Sequence, residues 1–292
     1  MNSYRIDSLY SGSGGNATLV RTPGACILID AGKNARALTE ALRQVGTEPE
    51  ALDAIFVTHD HRDHISALPV LTRKCSLSVH AVEATAQVIA EGAPPTLREC
   101  LRKHPPLYEE RVGDVTVRSF ITPHDSRFSV GYRIELTDAR GRRHAIGYAT
   151  DIGYVTDEVR AGLYGCESVV LESNHDRDML LGGPYPRPLK ERVLSRYGHL
   201  SNEDCAALAA ELAAAGMRHL MLAHLSEQNN DPALAYQEVL TSLGDETFDL
   251  SVASPDLPVT MTVLLPEDGE RSGQVPVPVS EGRTGKGEEE PC

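Results

Sequence analysis

The stretch Thr58–Leu68, THDHRDHISAL, packs three histidines and two aspartates into the six positions His59 to His64. Imidazole nitrogens and carboxylate oxygens at this density are the donors that zinc-class ions take. His59 and His61 are two apart, so an extended backbone turns both side chains the same way. Asp63 and His64 follow where the chain turns into a helix, and they can face a second position nearby. One ion would leave donors unused. Two ions about 3.5–4 Å apart, sharing a bridging carboxylate and hydroxide, would use all four.

Such a cluster needs rigid supports. Ala54–Val57, AIFV, is short, apolar and partly β-branched, so it reads as a buried strand. The donors begin where that strand runs out, a usual place for sites in open α/β folds. Three more donors stand at equivalent strand ends: His124 after Val115–Ile121, Asp151 after His144–Ala149, and His224 in RHLMLAHL. Asp151 is suited to bridging. YRIDSLY, ATLVRT and ACILIDAG read as strands around the turn SGSGGN, and Val130–Thr137 and Ser168–Ser173 as two more. NARALTEALRQV is helix-like, and ISALPVLTRK reads as helical from its start, with Pro69 early enough to be tolerated. The clearest helix is SNEDCAALAAELAAAG, capped by Ser201 or Asn202, acidic in its first turn and ended by Gly216. Strands followed by alternating helices and strands recur in both halves, which predicts two mixed sheets covered by helices.

At 292 residues the chain can bury a large core, in one large domain or two small ones. No run of 18 apolar residues occurs, so no membrane span is expected. The N-terminus MNSYRIDSLYSGSGGN lacks the pattern of a signal peptide. Six scattered cysteines without a CxxC pair predict free thiols in a reducing cytoplasm. The net charge of −14 argues against wholesale coating of nucleic acid, although a local basic strip is compatible with it. From Pro266 onward Gly, Pro, Ser and Glu dominate, so 1–265 is read as the folded domain and 266–292 as a disordered tail.

H-x-H-x-D-H followed by His124, Asp151 and His224 resembles the signature of the metallo-β-lactamase superfamily. That resemblance implies an α/β fold, an αββα sandwich of two mixed β-sheets flanked by helices. The segments SLYSGSGGNATLV, LIDAG, VTHDHRDHI, ATDIGYV, LESNHDRDML, GHLSNEDCA and LAHLSEQNN run in order from about Ser8 to Asn230. They are further similar to the YycJ/WalJ group of metal-dependent DNA exonucleases. The resemblance implies His59, His61 and His124 on one metal, Asp63, His64 and His224 on the other, and Asp151 between them. It also makes Asp30 an aspartate that orients the ligand loop. One departure is Ala67, where the superfamily usually has glycine.

The implied activity is that of a dinuclear metal-dependent phosphodiesterase on nucleic acid, DNA in preference to RNA. Two divalent ions, Zn²⁺ or Mn²⁺, would supply a bridging hydroxide that attacks phosphorus, with Asp63 as orienter or base. The leaving oxygen needs a proton. His199 in YGHLSN is similar to the proton donor of RNase Z, which a glutamate holds, and Glu172 in LESNHD is the matching glutamate. Asn174 and His175 on the next loop are candidates for phosphate contact. Ser13 and Asn16 belong to a Gly/Ser loop whose N–H groups could cradle a phosphate, and the helix after Ser201 offers more N–H groups beside His199. Basic Arg187, Lys190, Arg192 and Arg196 either track a nucleic-acid backbone or form a solvated helix face.

Three rival readings remain in view. RNase Z- or RNase J-like RNA processing is the first, but only 73 residues separate Asp151 from His224, too few for the β-CASP insertion of RNase J-type enzymes. A small-ester hydrolase of lactonase or glyoxalase type would need neither His199 nor the basic residues. A non-catalytic regulator on the same fold is disfavoured by the complete ligand set.

Overall fold

The computed structural model describes residues 3–75, 77–244 and 247–265. The expected tail, 266–292, lies outside the described residues. Six strands make most of a first sheet: β1 (Ser3–Tyr10), β2 (Ala17–Arg21), β3 (Cys26–Ile29), β4 (Ala54–Phe56), β5 (Ser78–Val82) and β6 (Leu101–His104). Seven make a second: β7 (Glu109–Val112), β8 (Val115–Ile121), β9 (Val130–Thr137), β10 (Arg143–Ala149), β11 (Ser168–Glu172), β12 (His219–Ala223) and β13 (Asp249–Val252). The last strand, β14 (Val259–Leu264), returns to the first sheet beside β1. The strand orders are β14-β1-β2-β3-β4-β5-β6 and β13-β12-β11-β10-β9-β8-β7. Each sheet is antiparallel in one half and parallel in the other, so both are mixed, as the sequence pattern predicts.

The parallel strands read as continuous apolar runs because both of their faces are covered. Successive side chains point to opposite faces. Ile27, Ile29, Ala54, Phe56, Val170 and Met221 therefore fill the layer between the sheets, with Tyr132 and Tyr148. Leu28, Ile55, Val57 and Val79 face the helices over the first sheet, and Val169, Leu171, Leu220 and Leu222 face those over the second. The result is a four-layer αββα sandwich. No described helix is long and apolar enough to cross a membrane.

The helix Asn202–Ala214 has Ser201 as its cap, whose side chain accepts from the Asp204 N–H. ISALPVLTRK departs from expectation. A single turn, Arg62–Ile65, is followed by a separate helix, Leu68–Lys74, with Pro69 in its first turn. Ala67 joins them at φ −83° and ψ −19°, right-handed values that need no glycine. Cys26, Cys75, Cys100, Cys166 and Cys205 are all unpaired.

Candidate metal centre

Parallel pairing aligns the C-terminal ends of β3 and β4 at one rim of the sandwich, and those of β10, β11 and β12 at the facing rim. The donors stand at these ends. Asp30, Asp151 and His224, just beyond β3, β10 and β12, have φ of 61°, 57° and 57°. Left-handed backbone at non-glycine residues costs about 1–3 kcal/mol each and persists where surrounding contacts impose it, often at functional sites. Here it turns each side chain out of its strand and toward the common centre.

The His59 and His61 ring centroids are 4.6 Å apart, and His61, on extended backbone, precedes the turn that carries Asp63 and His64. One donor atom from each of His59, His61 and His124 lies within 4.8 Å of the others, and the same holds for Asp63, His64 and His224. Asp151 sits between the groups: Oδ2 is 3.4 Å from His64 Nε2, and Oδ1 is 3.4 Å from His224 Nε2 and 3.7 Å from His124 Nε2. Asp60 is left out of the cluster, its carboxylate accepting from the Arg127 N–H.

The outer nitrogens decide what these rings can do. His64 Nδ1 donates to Asp30 Oδ2 at 2.8 Å, His124 Nδ1 to the Gly198 carbonyl at 3.1 Å, and His224 Nδ1 to Glu172 Oε1 at 3.2 Å. Thr58 Oγ1 donates to Asp30 and sits 2.9 Å from His59 Nδ1, so it accepts there. Each Nδ1–H is thus held from outside, which leaves the Nε2 lone pair facing inward, as in metal-ligating imidazoles. His59 Nε2, His224 Nε2 and Asp151 Oδ2 are buried with no hydrogen-bond partner. Orphaned buried donors and acceptors cost about 1–3 kcal/mol each. All three belong to the clustered His and Asp donors, and such an arrangement fits divalent cations.

Electrostatics agree. Burial works against ionising Asp63 and Asp151, yet the neighbouring histidines hold both carboxyls below their usual range. Burial would also lower His224, but the Asp151, Asp63 and Glu172 carboxylates push it up to about 10. His59, fully buried and crowded by His64, His124 and His61, is held far below the ordinary imidazole value. Without metal the carboxylates draw protons onto His64 and His224, and a bound divalent cation would take the place of those protons.

Beside the donors, His199 Nδ1 donates to Glu172 Oε1 at 2.8 Å. Glu172 is 0% exposed and also accepts from the Ile152 and Leu200 N–H groups through Oε2. One carboxylate therefore positions both His199 and His224. Cut against this pair is a cleft of about 150 Å³, with Ser13, Asn174, Tyr185 and Arg192 among its lining residues.

The other candidate contacts divide. Ser13 and Asn174 line that cleft, although the Asn174 amide donates to the His224 carbonyl. Asn16, 1% exposed, points inward and donates to Gly12 O and Asp63 Oδ2. The Ser11, Gly12, Gly15 and Asn16 N–H groups bond to Ser254, Asn16, Gly12 and Asp63, so most of the expected phosphate cradle is consumed in holding the loop. His175, 1% exposed, is not brought to the cleft, and burial lowers its pKa to about 4. Of the basic residues, Arg192 pairs with Asp125 beside the centre, and Arg196 lies over the Tyr154 ring. Arg187 pairs with Glu191, and Lys190 donates to the Leu181 carbonyl.

Sequence reasoning missed Asp125, whose Oδ1 is 3.4 Å from His124 Nε2 and 3.8 Å from His61 Nε2. Its position directly after His124 was the available signal. It also missed Tyr154 and Tyr197, exposed aromatics that line a second cleft of about 340 Å³ running up to His124.

Fold and centre agree with a family assignment: a model of the beta-lactamase superfamily domain matches residues 26–225, and the chain belongs to that superfamily. Among curated relatives, it is 34% identical to the exodeoxyribonuclease YycJ of Bacillus anthracis, over 86% of this chain and 95% of that one. It is 32% identical to the exodeoxyribonuclease WalJ of Streptococcus pneumoniae, over 89% of this chain and 97% of that one. Among solved structures, the metallo-beta-lactamase fold protein YhfI of Bacillus subtilis superposes with a TM-score of 0.66 at 19% identity, covering 89% of this chain and all of that one. The chain is a hydrolase with clustered His and Asp donors that could hold divalent metal.

Proposed function

We propose that this protein is an exodeoxyribonuclease of the cytoplasm that uses two divalent ions, Zn²⁺ or Mn²⁺, and that residues 1–265 form its catalytic domain. In this reading His59, His61 and His124 hold one ion, Asp63, His64 and His224 hold the other, and Asp151 serves both. When bound, the ions would acidify a water and offset charge growing on the phosphoryl oxygens. The protein's own groups do the rest. Asp63, kept ionised by His224 and His64, is the carboxylate available to orient that water or take its proton. Asp30 and Thr58 hold the ring planes of His64 and His59. His199, fixed through Nδ1 by Glu172, has Nε2 left to pass a proton to the departing sugar oxygen, and Arg192 and Ser13 line the cleft where the strand would lie.

The observation that carries this reading is the His199–Glu172 pair set against the donor cluster. A small activated ester does not need a dedicated acid, whereas an alkoxide leaving group does. The resemblance to exodeoxyribonucleases along nearly the whole chain supports DNA as the substrate. The test is to load the protein with Zn²⁺ or Mn²⁺ and give it end-labelled duplex DNA, single-stranded DNA, RNA and a simple phosphodiester. Stepwise shortening of DNA from one end is expected. Turnover confined to RNA, or to a small carboxylic ester, would reject the assignment.

A further inference from the structure

A second group of metal-type donors lies away from the strand-end centre, where the two sheets approach each other at their edges. His80 is on β5, His104 ends β6, and Glu110 is on β7, so the donors come from both sheets. The chain crosses from β6 to β7 in only four residues, Pro105 to Tyr108. β5 and β6 pair in parallel with His80 opposite Arg102 and Val82 opposite His104, which puts His80 and His104 on the same face, one step apart diagonally. That face is the inner one, since Val82 belongs to the inter-sheet core and Val79 and Ala81 to the opposite side. On β7, Glu110 and Val112 are the less exposed positions, and Val112 packs against the same core. Two imidazoles and a carboxylate thus replace apolar residues at the open end of an otherwise apolar layer, and buried polar groups there need partners.

We propose that His80, His104 and Glu110 form a separate site for one divalent transition ion, clamping β6 to β7. One donor atom from each of the three lies within 4.8 Å of the other two. His80 Nδ1 and His104 Nε2 are 3.0 Å apart with ring centroids at 5.1 Å. The corresponding pair in the strand-end centre, His61 and His124, shows 3.3 Å and 5.0 Å. Zn–N bonds of about 2.0–2.1 Å at a tetrahedral angle set ligand nitrogens roughly 3.3 Å apart, so both pairs are spaced for a shared ion. The rings are held in place from either side, since Phe56 stacks on His80 at 4.7 Å and Tyr108 stacks on His104 at 4.1 Å. The outer nitrogen of His80 meets Ser78 Oγ at 2.9 Å, the outside contact that fixes an imidazole ligand. Burial lowers the pKa of both imidazoles, that of His80 to about 4, so neither needs to lose a proton to bind metal at neutral pH. A cleft of about 470 Å³ opens on the three donors, with Arg102, Lys103 and Arg111 in its lining, leaving room for water or a small anion as a fourth ligand.

The experiment strips the full-length protein with a chelator, reloads it with Zn²⁺ and measures zinc per chain by elemental analysis, in the wild type, His104→Ala and Glu110→Ala. Each variant should hold one zinc fewer than the wild type, whatever the content of the strand-end centre. Both positions are partly exposed, so folding should survive; circular dichroism checks this, and DNA turnover should be unchanged. Crystals of the loaded wild type should show anomalous zinc density between His80 and His104. Equal zinc in all three proteins, or no such density, would overturn the site and leave the His80–His104 contact as a hydrogen bond within the sheet.

Discussion

Replacing His199 by alanine separates proton donation from every other role of this corner. In the wild type, His199 Nδ1 donates to Glu172 at 2.8 Å, and the side chain is 18% exposed, so Nε2 is the nitrogen free to meet a leaving group. Truncation does not strand the buried carboxylate, because Glu172 still accepts from His224 Nδ1 and from the Ile152 and Leu200 N–H groups. The stability cost is therefore that of one charge-assisted hydrogen bond, about 1.5–3 kcal/mol. The catalytic cost is larger. Loss of a general acid slows reaction by about 10²–10⁴-fold, equivalent to roughly 3–5 kcal/mol of barrier at 1.36 kcal/mol per decade. That penalty applies to a DNA phosphodiester, whose leaving oxygen has a high pKa. A bis-nitrophenyl phosphate expels a stable phenolate and should lose less than about tenfold. Both substrates are assayed with metal content measured on the same samples. Equal losses on the two substrates would reject His199 as the acid, and a fall in bound metal would make it a ligand instead.

Glu172→Gln places an amide NH₂ among four N–H donors, so two of them lose their acceptor, and stability should fall by about 2–5 kcal/mol in thermal melts. In metal-free protein this loss should also depend on pH. Burial opposes ionisation of Glu172, but His199 and His224 hold its carboxyl well below the usual range. The stabilisation is then full above the unfolded value of about 4.3 and disappears as pH falls through the folded one, so the two melting curves should converge in acid; a gap that widens on acidification would contradict the pairing. Asp30→Asn keeps a side chain that tolerates the left-handed backbone but removes the carboxylate shared by Thr58 N, Thr58 Oγ1 and His64 Nδ1. Metal affinity should drop about 10–100-fold by competition with a chromogenic chelator, and an unchanged affinity would show that Asp30 does not orient the ligands. Gly32→Ala would drive a Cβ to 1.9 Å from Asp63 O and 2.3 Å from Asn16 N, so the loops of residues 11–16 and 59–64 must part. That variant should lose bound metal and melt well below the wild type, and wild-type behaviour would mean the two loops pack more loosely than described.

Local patterns carried most of the architecture and the donors. Short continuous apolar runs such as CILI and SVVLE mark strands covered on both faces, because successive side chains of an extended backbone point to opposite sides and both sides must then be apolar. Ser201 ahead of two acidic residues marks a helix start for the same kind of reason, since the cap bonds within three residues. H-x-H-x-D-H placed four donors within six positions of the chain. Only the tertiary structure decided what those donors meet. Asp30 reaches His64 across 34 positions and Glu172 reaches His224 across 52, contacts set by strand order and register rather than by spacing. Burial, which depends on the whole packed chain, turned Asn16 and His175 inward although their loops read as substrate-facing. It is also the meeting of β6 and β7 from different sheets that joins His80, His104 and Glu110, three residues that no motif connects. Short-range periodicity fixes which face a residue occupies, and only the register of distant strands fixes what stands opposite it.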